Sequence, residues 1–191
     1  MANIPYPQSY KDPRVEHVLS RVPKLNLLKL ESWAEGVVES IVRVSDGVLR
    51  RTEVDPVLRQ IAVLRLCSVV HSEYELHHLI SVSRRHDIPA DLVNAAITGS
   101  SSTQLTKIQA MVARLAEELA INPKPSPEVF TYLSDKLPTR HLMELVIAIG
   151  FYLMQSRVIE TFEIELEPEG VDLSNANIDE ASLNAWRNSQ E

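Results

Sequence analysis

Asp55-Pro-Val-Leu-Arg-Gln-Ile-Ala-Val-Leu-Arg65, running on through Cys67 to His71-Ser-Glu-Tyr-Glu75, is the stretch whose reading decides the fold. Asp followed by Pro is a helix start. The Asp side chain can accept a free N–H of the first turn, and Pro at the first helical position loses nothing by lacking a donor. From there Leu58, Ile61, Ala62, Leu64, Val69 and Val70 recur at helical spacing as far as His71. Ser72-Glu-Tyr-Glu75 then has the spacing of a capping box and opens a second helix, which Asp87-Ile-Pro89 ends near His86. Two helices back to back, with no alternating strand between them, predict an all-α chain.

Working outward, the same logic predicts further helices. Towards the N-terminus they cover about Pro13 to Arg21 and Ser32 to Leu49, the latter with Trp33, Val37, Ile41, Val44 and Val48 on one stripe. Leu25, Leu27, Leu28 and Leu30 form an apolar patch between them. Towards the C-terminus helices cover Pro89 to Thr98, Thr103 to Ala120, Pro127 to Lys136 behind a Ser126 cap, and Thr139 to about Phe162, the most apolar of all. Five glycines, against 45% hydrophobic and 24% charged residues, agree with a helical globular chain. The organisation read from this is an extended Pro-rich arm over 1–12, one helical domain over 13–166, and a polar acidic tail over 167–191. Disorder is the first reading of the tail, and docking of Ile178, Leu183 and Trp186 as a short helix is the alternative.

Composition also excludes functions. The net charge is −7, and basic residues cluster no further than Arg50-Arg51 and Arg84-Arg85, so a nucleic-acid surface is not expected. The single cysteine, Cys67, sits among apolar residues and reads as a small buried hydrophobe. The N-terminus lacks the apolar core of a signal peptide. The longest apolar run, Leu145 to Met154, is interrupted by Gly150 and falls short of a bilayer span. No membrane association and a reducing, cytoplasmic location are the expectations. Rossmann, P-loop and Gly-x-Ser-x-Gly motifs are absent.

The Asp55–Arg65 segment with Ser72–Glu75 resembles the signature segment of the carboxymuconolactone decarboxylase/AhpD-like family. Gly150-Phe-Tyr-Leu-Met-Gln-Ser-Arg157 is similar to that family's last helix, and Ile4-Pro-Tyr-Pro7 and Leu25-Asn-Leu-Leu28 to its longer single-domain members. The resemblance covers about residues 4–166. It implies an AhpD-like helical fold and symmetric homo-oligomers: dimers, trimers or hexamers. AhpD-type members carry Cys-x-x-Cys where this chain has Ser72 and Glu75, a Glu where Gln60 stands, and a His where Leu79 stands. Disulfide chemistry needs a thiolate and a resolving thiol, so peroxidase or disulfide-reductase activity is excluded. The Tyr-Glu pair resembles the decarboxylase branch, whose usual histidine is also replaced by Leu79.

What remains is a constellation suited to proton transfer. His71, Glu75, His78 and Val82 step by 4, 3 and 4 along one stripe if the helix is continuous through the cap, with Tyr74 beside it. Glu75, His78 and His71 are the candidate acid/base groups. Ser72, Tyr74, Tyr152 and Arg157 are the candidate substrate-binding groups, the last two able to hold an anionic or phenolic oxygen. Blander readings stand beside these: Ser72 and Glu75 as no more than a cap, His77 as a solvated residue, Tyr152 as core, Arg157 as an ion-pair partner of Glu160 or Glu163. Glu75-x-x-His78 has the spacing of a di-iron helix pair, but the sequence offers no second Glu-x-x-His, so neither metal nor other cofactor is expected. The expected activity is a cofactor-independent lyase or isomerase (decarboxylation, isomerisation or cyclisation) on a small carboxylated or phenolic metabolite, possible in specialised metabolism. The alternative is a non-catalytic ligand-binding or structural homo-oligomer.

Overall fold

A computed structural model describes residues 2–167; the acidic tail beyond Glu167, with Ile178, Leu183 and Trp186, lies outside them. The described residues are all-helical: α1 (Pro13–Leu19), α2 (Asn26–Glu31), α3 (Glu35–Arg50), α4 (Pro56–Val69), α5 (Glu73–Arg85), α6 (Ala90–Thr98), α7 (Lys107–Ile121), α8 (Pro127–Lys136) and α9 (Thr139–Phe162). They form two compact units, residues 2–43 with 162–167, and Val44–Thr161. This division falls inside the 13–166 span rather than at its ends.

The larger unit is built around α4. Leu58, Ile61, Ala62, Val63, Leu64, Leu66 and Cys67 are all buried, so α4 is apolar on almost every side. A helix of that kind must be surrounded. Helices α5, α6 and α7 pack against it, and α8 packs on α7. Its start is set as the sequence requires: Asp55 Oδ1 accepts the Val57 N–H at 2.8 Å with Pro56 at the first position. Its end is less legible. Ser72 N–H reaches back to Cys67 O at 2.9 Å across His71, which adopts a left-handed φ of 56°. This closure usually calls for glycine.

Arg65 ties three helices together. Its Nε meets Glu117 of α7 at 2.7 Å, and its Nη1 donates to Ile97 O, near the end of α6, at 2.6 Å. Gly99 leaves α6 at φ 106° directly beside this pair. A Cβ there would stand 2.5 Å from both Arg65 Nε and Glu117 Oε1.

In the smaller unit the arm is held at several points. Ala2 N–H donates to Glu165 Oε2 at 2.6 Å, Asn26 N–H to Glu167 Oε1 at 2.6 Å, and Trp33 Nε1 to Pro5 O at 2.8 Å. Burial, then the neighbouring Glu165 carboxylate, pushes the Tyr6 hydroxyl up to about 12.

Three sequence expectations change. The Leu25–Leu30 patch is a helix, α2, with Leu27 and Leu30 buried one turn apart; no side chain caps it, which hides it in the sequence. The α7 helix starts later than Thr103, at Lys107, because Gln109 Oε1 accepts the Thr106 N–H at 2.9 Å and fixes the cap there. The apolar stripe of α3 does not face inward as one. Val38 and Val48 are buried, whereas Trp33 and Val37, 56% and 51% exposed, and Val44 lie outside.

Helix α9 is long and apolar enough to cross a membrane by length and composition. Leu142, Leu145, Ala148, Ile149, Tyr152 and Ile159 are nevertheless buried within the chain, the pattern of a core helix.

Replacing Gly99 with Ala should destabilise the protein by about 1–3 kcal/mol, because strain and the collision with Arg65 add. Gly47→Ala in α3, where a Cβ meets open space, should stabilise by about 0.5–1 kcal/mol. Paired denaturant titrations check both signs.

Candidate functional site

The site lies in the larger unit, where α4, α5 and α9 each contribute polar groups to an apolar interior. On α4, Arg59, Val63 and Cys67 follow at four-residue steps and share a face. On α9, Tyr152 and Ser156 do the same. Glu75 enters from the first turn of α5, where the positive end of the helix favours a carboxylate.

Glu75 is 7% exposed, Tyr152 8% and Cys67 fully buried. Burial pushes the Cys67 thiol well above its ordinary range, and the Glu75 carboxylate pushes it further; a hydrogen bond with Ser156 opposes them. Burial likewise drives the Tyr152 hydroxyl far up, helped by Glu75 and Cys67 and opposed by the Arg59 guanidinium. Both groups are therefore protonated at neutral pH. Each holds its proton within electrostatic reach of the Glu75 carboxylate, and Cys67 is neither a thiolate nucleophile nor a metal ligand in that state.

Arg59 is part-buried, and burial lowers its pKa, with Tyr152 and Glu144 opposing the shift. Gln155, three residues beyond Tyr152 on α9, is buried, and its Oε1 meets no hydrogen-bond donor among the described residues. Gln60 Nε2 donates to Leu79 O and to Ser83 Oγ, both at 2.9 Å. Gln60 thus forms an amide clamp between α4 and α5.

The residues expected from sequence fall into three groups. Glu75 and Tyr152 are both buried in the larger unit, within electrostatic reach of each other. Tyr74 and His78 form a pair of their own on α5, with ring centroids 4.6 Å apart and planes at 71°, and both nitrogens of His78 are shielded from solvent. His71 and Arg157 are not brought in. The stripe through His71 required a continuous helix, and the left-handed turn at that residue breaks it and leaves His71 exposed. Arg157 is exposed because five residues of helix turn it about 140° from Tyr152. It pairs with neither Glu160 nor any other acid among the described residues.

Ser72 is the N-cap of α5 by backbone only. Its side chain accepts no helix N–H, so its half of the expected capping box does not form. The hydroxyl is buried and has no hydrogen-bond partner among the described residues. Arg59, Gln155 and Ser156 are members that the sequence reading passed over. The signal for the last two was present: two polar residues in the apolar centre of a helix, three and four positions beyond Tyr152. Among the described residues no group of three or more His, Cys, Asp or Glu side chains gathers at metal-holding distance.

No protein-family model matches the chain, and no curated protein does. Among solved structures it is similar to an uncharacterized peroxidase-related protein from Silicibacter sp. TM1040. The TM-score is 0.73 at 14% identity, covering 90% of this chain and 94% of that one. The shared feature is the fold, an arrangement in keeping with the AhpD-like helical architecture expected from the sequence.

The buried, protonated state of Cys67 is measurable. The folded protein should label with a thiol reagent such as DTNB at least about 100-fold more slowly than the denatured chain at pH 8, because the free thiol range near 8.5 no longer applies. Rapid labelling of the folded chain would contradict the burial.

Proposed function

We propose that the chain is a cofactor-independent lyase or isomerase that moves a proton on a small carboxylated or phenolic metabolite. The observation that supports this best is the buried Glu75 carboxylate set beside two protonated donors, Cys67 and Tyr152. Glu75 takes or returns the proton at carbon. Tyr152, neutral and largely enclosed, donates to the oxygen on which negative charge develops as an enol forms. His78, one turn further along α5, is the histidine available to share this work, and exposed His71 has no part in it. Low water content around these groups strengthens each interaction. A specialised-metabolism role and a cytoplasmic location remain part of this reading.

Turnover can be sought with β-keto acids and carboxylated lactones in D2O, following CO2 release and deuterium incorporation by NMR. Glu75→Gln should lower turnover by about 10²–10⁴-fold, with the helical circular dichroism and melting profile retained. A Glu75→Gln protein that turns over at the wild-type rate would sink the assignment.

A second reading, a ligand-binding or structural homo-oligomer without catalysis, is favoured by the outer face of α9. Met143, Ile147, Gly150 and Met154 follow at steps of 4, 3 and 4 and are exposed, with Val146 beside them. Gly150 has open space above it, so no described residue requires glycine in mid-helix. A second helix lying close along this stripe would require it. Sedimentation should therefore give a multiple of the 21.5 kDa chain mass, and Ile147→Asp should reduce it towards that of one chain. A wild-type protein that sediments as a single chain removes this support. Self-association is compatible with catalysis, and the Glu75→Gln measurement decides between the two readings.

A further inference from the structure

We propose that the outer face of α3 is a pairing surface for a second copy of this chain, docked antiparallel about a two-fold axis at Ser40. The inference is independent of the proton-transfer reading, and it concerns a different helix from the exposed stripe on α9.

Val37, Ser40 and Val44 follow at steps of three and four along α3, with Gly36 beside them, and all four are exposed. The two valines are 51% and 45% exposed, while Val38 and Val48 of the same helix are buried. α3 is one unbroken helix, so these positions form a fixed stripe along it. A surface helix of a globular chain turns polar residues outward. Valines alternating with small residues give instead the knobs and holes of a helix–helix seam. Glycine weakens a helix relative to alanine. A Cβ at Gly36 would meet nothing within 4 Å, so no described residue requires glycine there. Close approach by another helix would require it. Gly36 and Ser40 also border a hollow of about 50 Å3 with Asp12, Arg14 and Val15, which leaves room for a side chain from outside.

The stripe is complementary to itself, which selects a second copy as its occupant. Turning another α3 antiparallel about Ser40 lays each Val44 over the partner's Gly36 and sets Ser40 against the partner's Ser40. The charges select the same direction. Glu35 and Glu39 lie in the first half of α3, and Arg43 and Arg50 in the second. Asp46, the acid of the second half, is buried and meets Arg51 Nη2 at 2.6 Å. Glu35 accepts the Lys11 and Asp12 N–H groups at 3.2 Å and 2.7 Å and meets no cation among the described residues. An antiparallel copy brings the basic half of one helix over the acidic half of the other, twice by symmetry. A parallel copy would set acid on acid and base on base. Trp33, 56% exposed and two residues before α3, adds an aromatic side chain at each end of the seam.

The test joins cross-linking to sedimentation, both on the full chain. Ser40→Cys places a thiol at the two-fold axis, and the chain's own Cys67 is buried. Mild oxidation should convert most of the Ser40→Cys protein to a disulfide-linked dimer, since a bridge needs Cα atoms about 4.4–6.8 Å apart. Ser134→Cys, exposed on α8, is the control and should cross-link little. Sedimentation is read in the Ile147→Asp protein, so that the α9 face does not contribute. That protein should still form a dimer of the 21.5 kDa chain. Adding Val44→Asp or Gly36→Leu should weaken the dimer by about 10- to 100-fold. Both positions are exposed, so the helical circular dichroism should be retained; should either variant fail to fold, the other and the cross-link still decide. Three results would each overturn the proposal. They are an Ile147→Asp protein that sediments as a single chain, a dimer that Val44→Asp and Gly36→Leu leave unchanged, and cross-linking at Ser134→Cys as complete as at Ser40→Cys.

Discussion

Helix α4 has almost no side to spare for water, and the arrangement of the larger unit follows from burying it. A helix that presents Leu58, Ile61, Val63, Leu64 and Leu66 around its circumference loses its hydrophobic stabilisation unless other helices cover it. Covering it brings α5, α6 and α7 to its flanks, and every polar side chain it carries inward must then find a partner on one of them. Gln60 finds the Leu79 carbonyl and the Ser83 hydroxyl on α5; Arg65 finds Glu117 on α7 and the end of α6. These bonds fix how each neighbour is placed as well as where it packs, since an unpaired amide or guanidinium at that depth costs more than the bond itself returns.

The candidate site is the part of this arrangement where the polar groups are least fully paired. Arg59 and Cys67 lie on the same α4 face, but no neighbouring helix supplies an acid to Arg59. Cys67 meets a hydroxyl and a carboxylate of opposite influence. A thiol that is buried and next to Glu75 stays protonated. Cys67 is also the chain's single cysteine, so no second thiol is present to resolve a disulfide with it. The fold shared with a peroxidase-related protein carries no chemistry across, because fold and site vary independently.

Helix α9 shows how one element can answer two demands. Its inner face supplies Tyr152, Gln155 and Ser156 to the site, and its outer face is a stripe of exposed methionine and isoleucine around a glycine. Apolar residues on both faces make the helix resemble a membrane span in composition, while its inner positions pack as a core helix does.

The helices were legible because their signals are local. Asp55-Pro56 and Ser126-Pro127 cap helices through contacts within a few residues, and apolar residues at helical spacing mark α4, α7 and α9 wherever the chain runs. The absence of a Cys-x-x-Cys pair was equally plain, since it turned on which residues are present. Glu75 and Tyr152 were singled out by residue type, and both are buried. The rest depended on direction in space. Whether His71 continues the α5 stripe rests on one left-handed backbone angle that no glycine announces, and the exposure of Arg157 on which turn of α9 faces α4. That Arg59 forms no ion pair among the described residues depends on Glu144 being bonded to the Glu53 and Val54 N–H groups instead. Sequence records the inventory of charges and the local geometry of each helix. Only packing determines which charges are buried, which are paired, and which are left with donors to offer, because those properties belong to pairs of residues far apart in the chain.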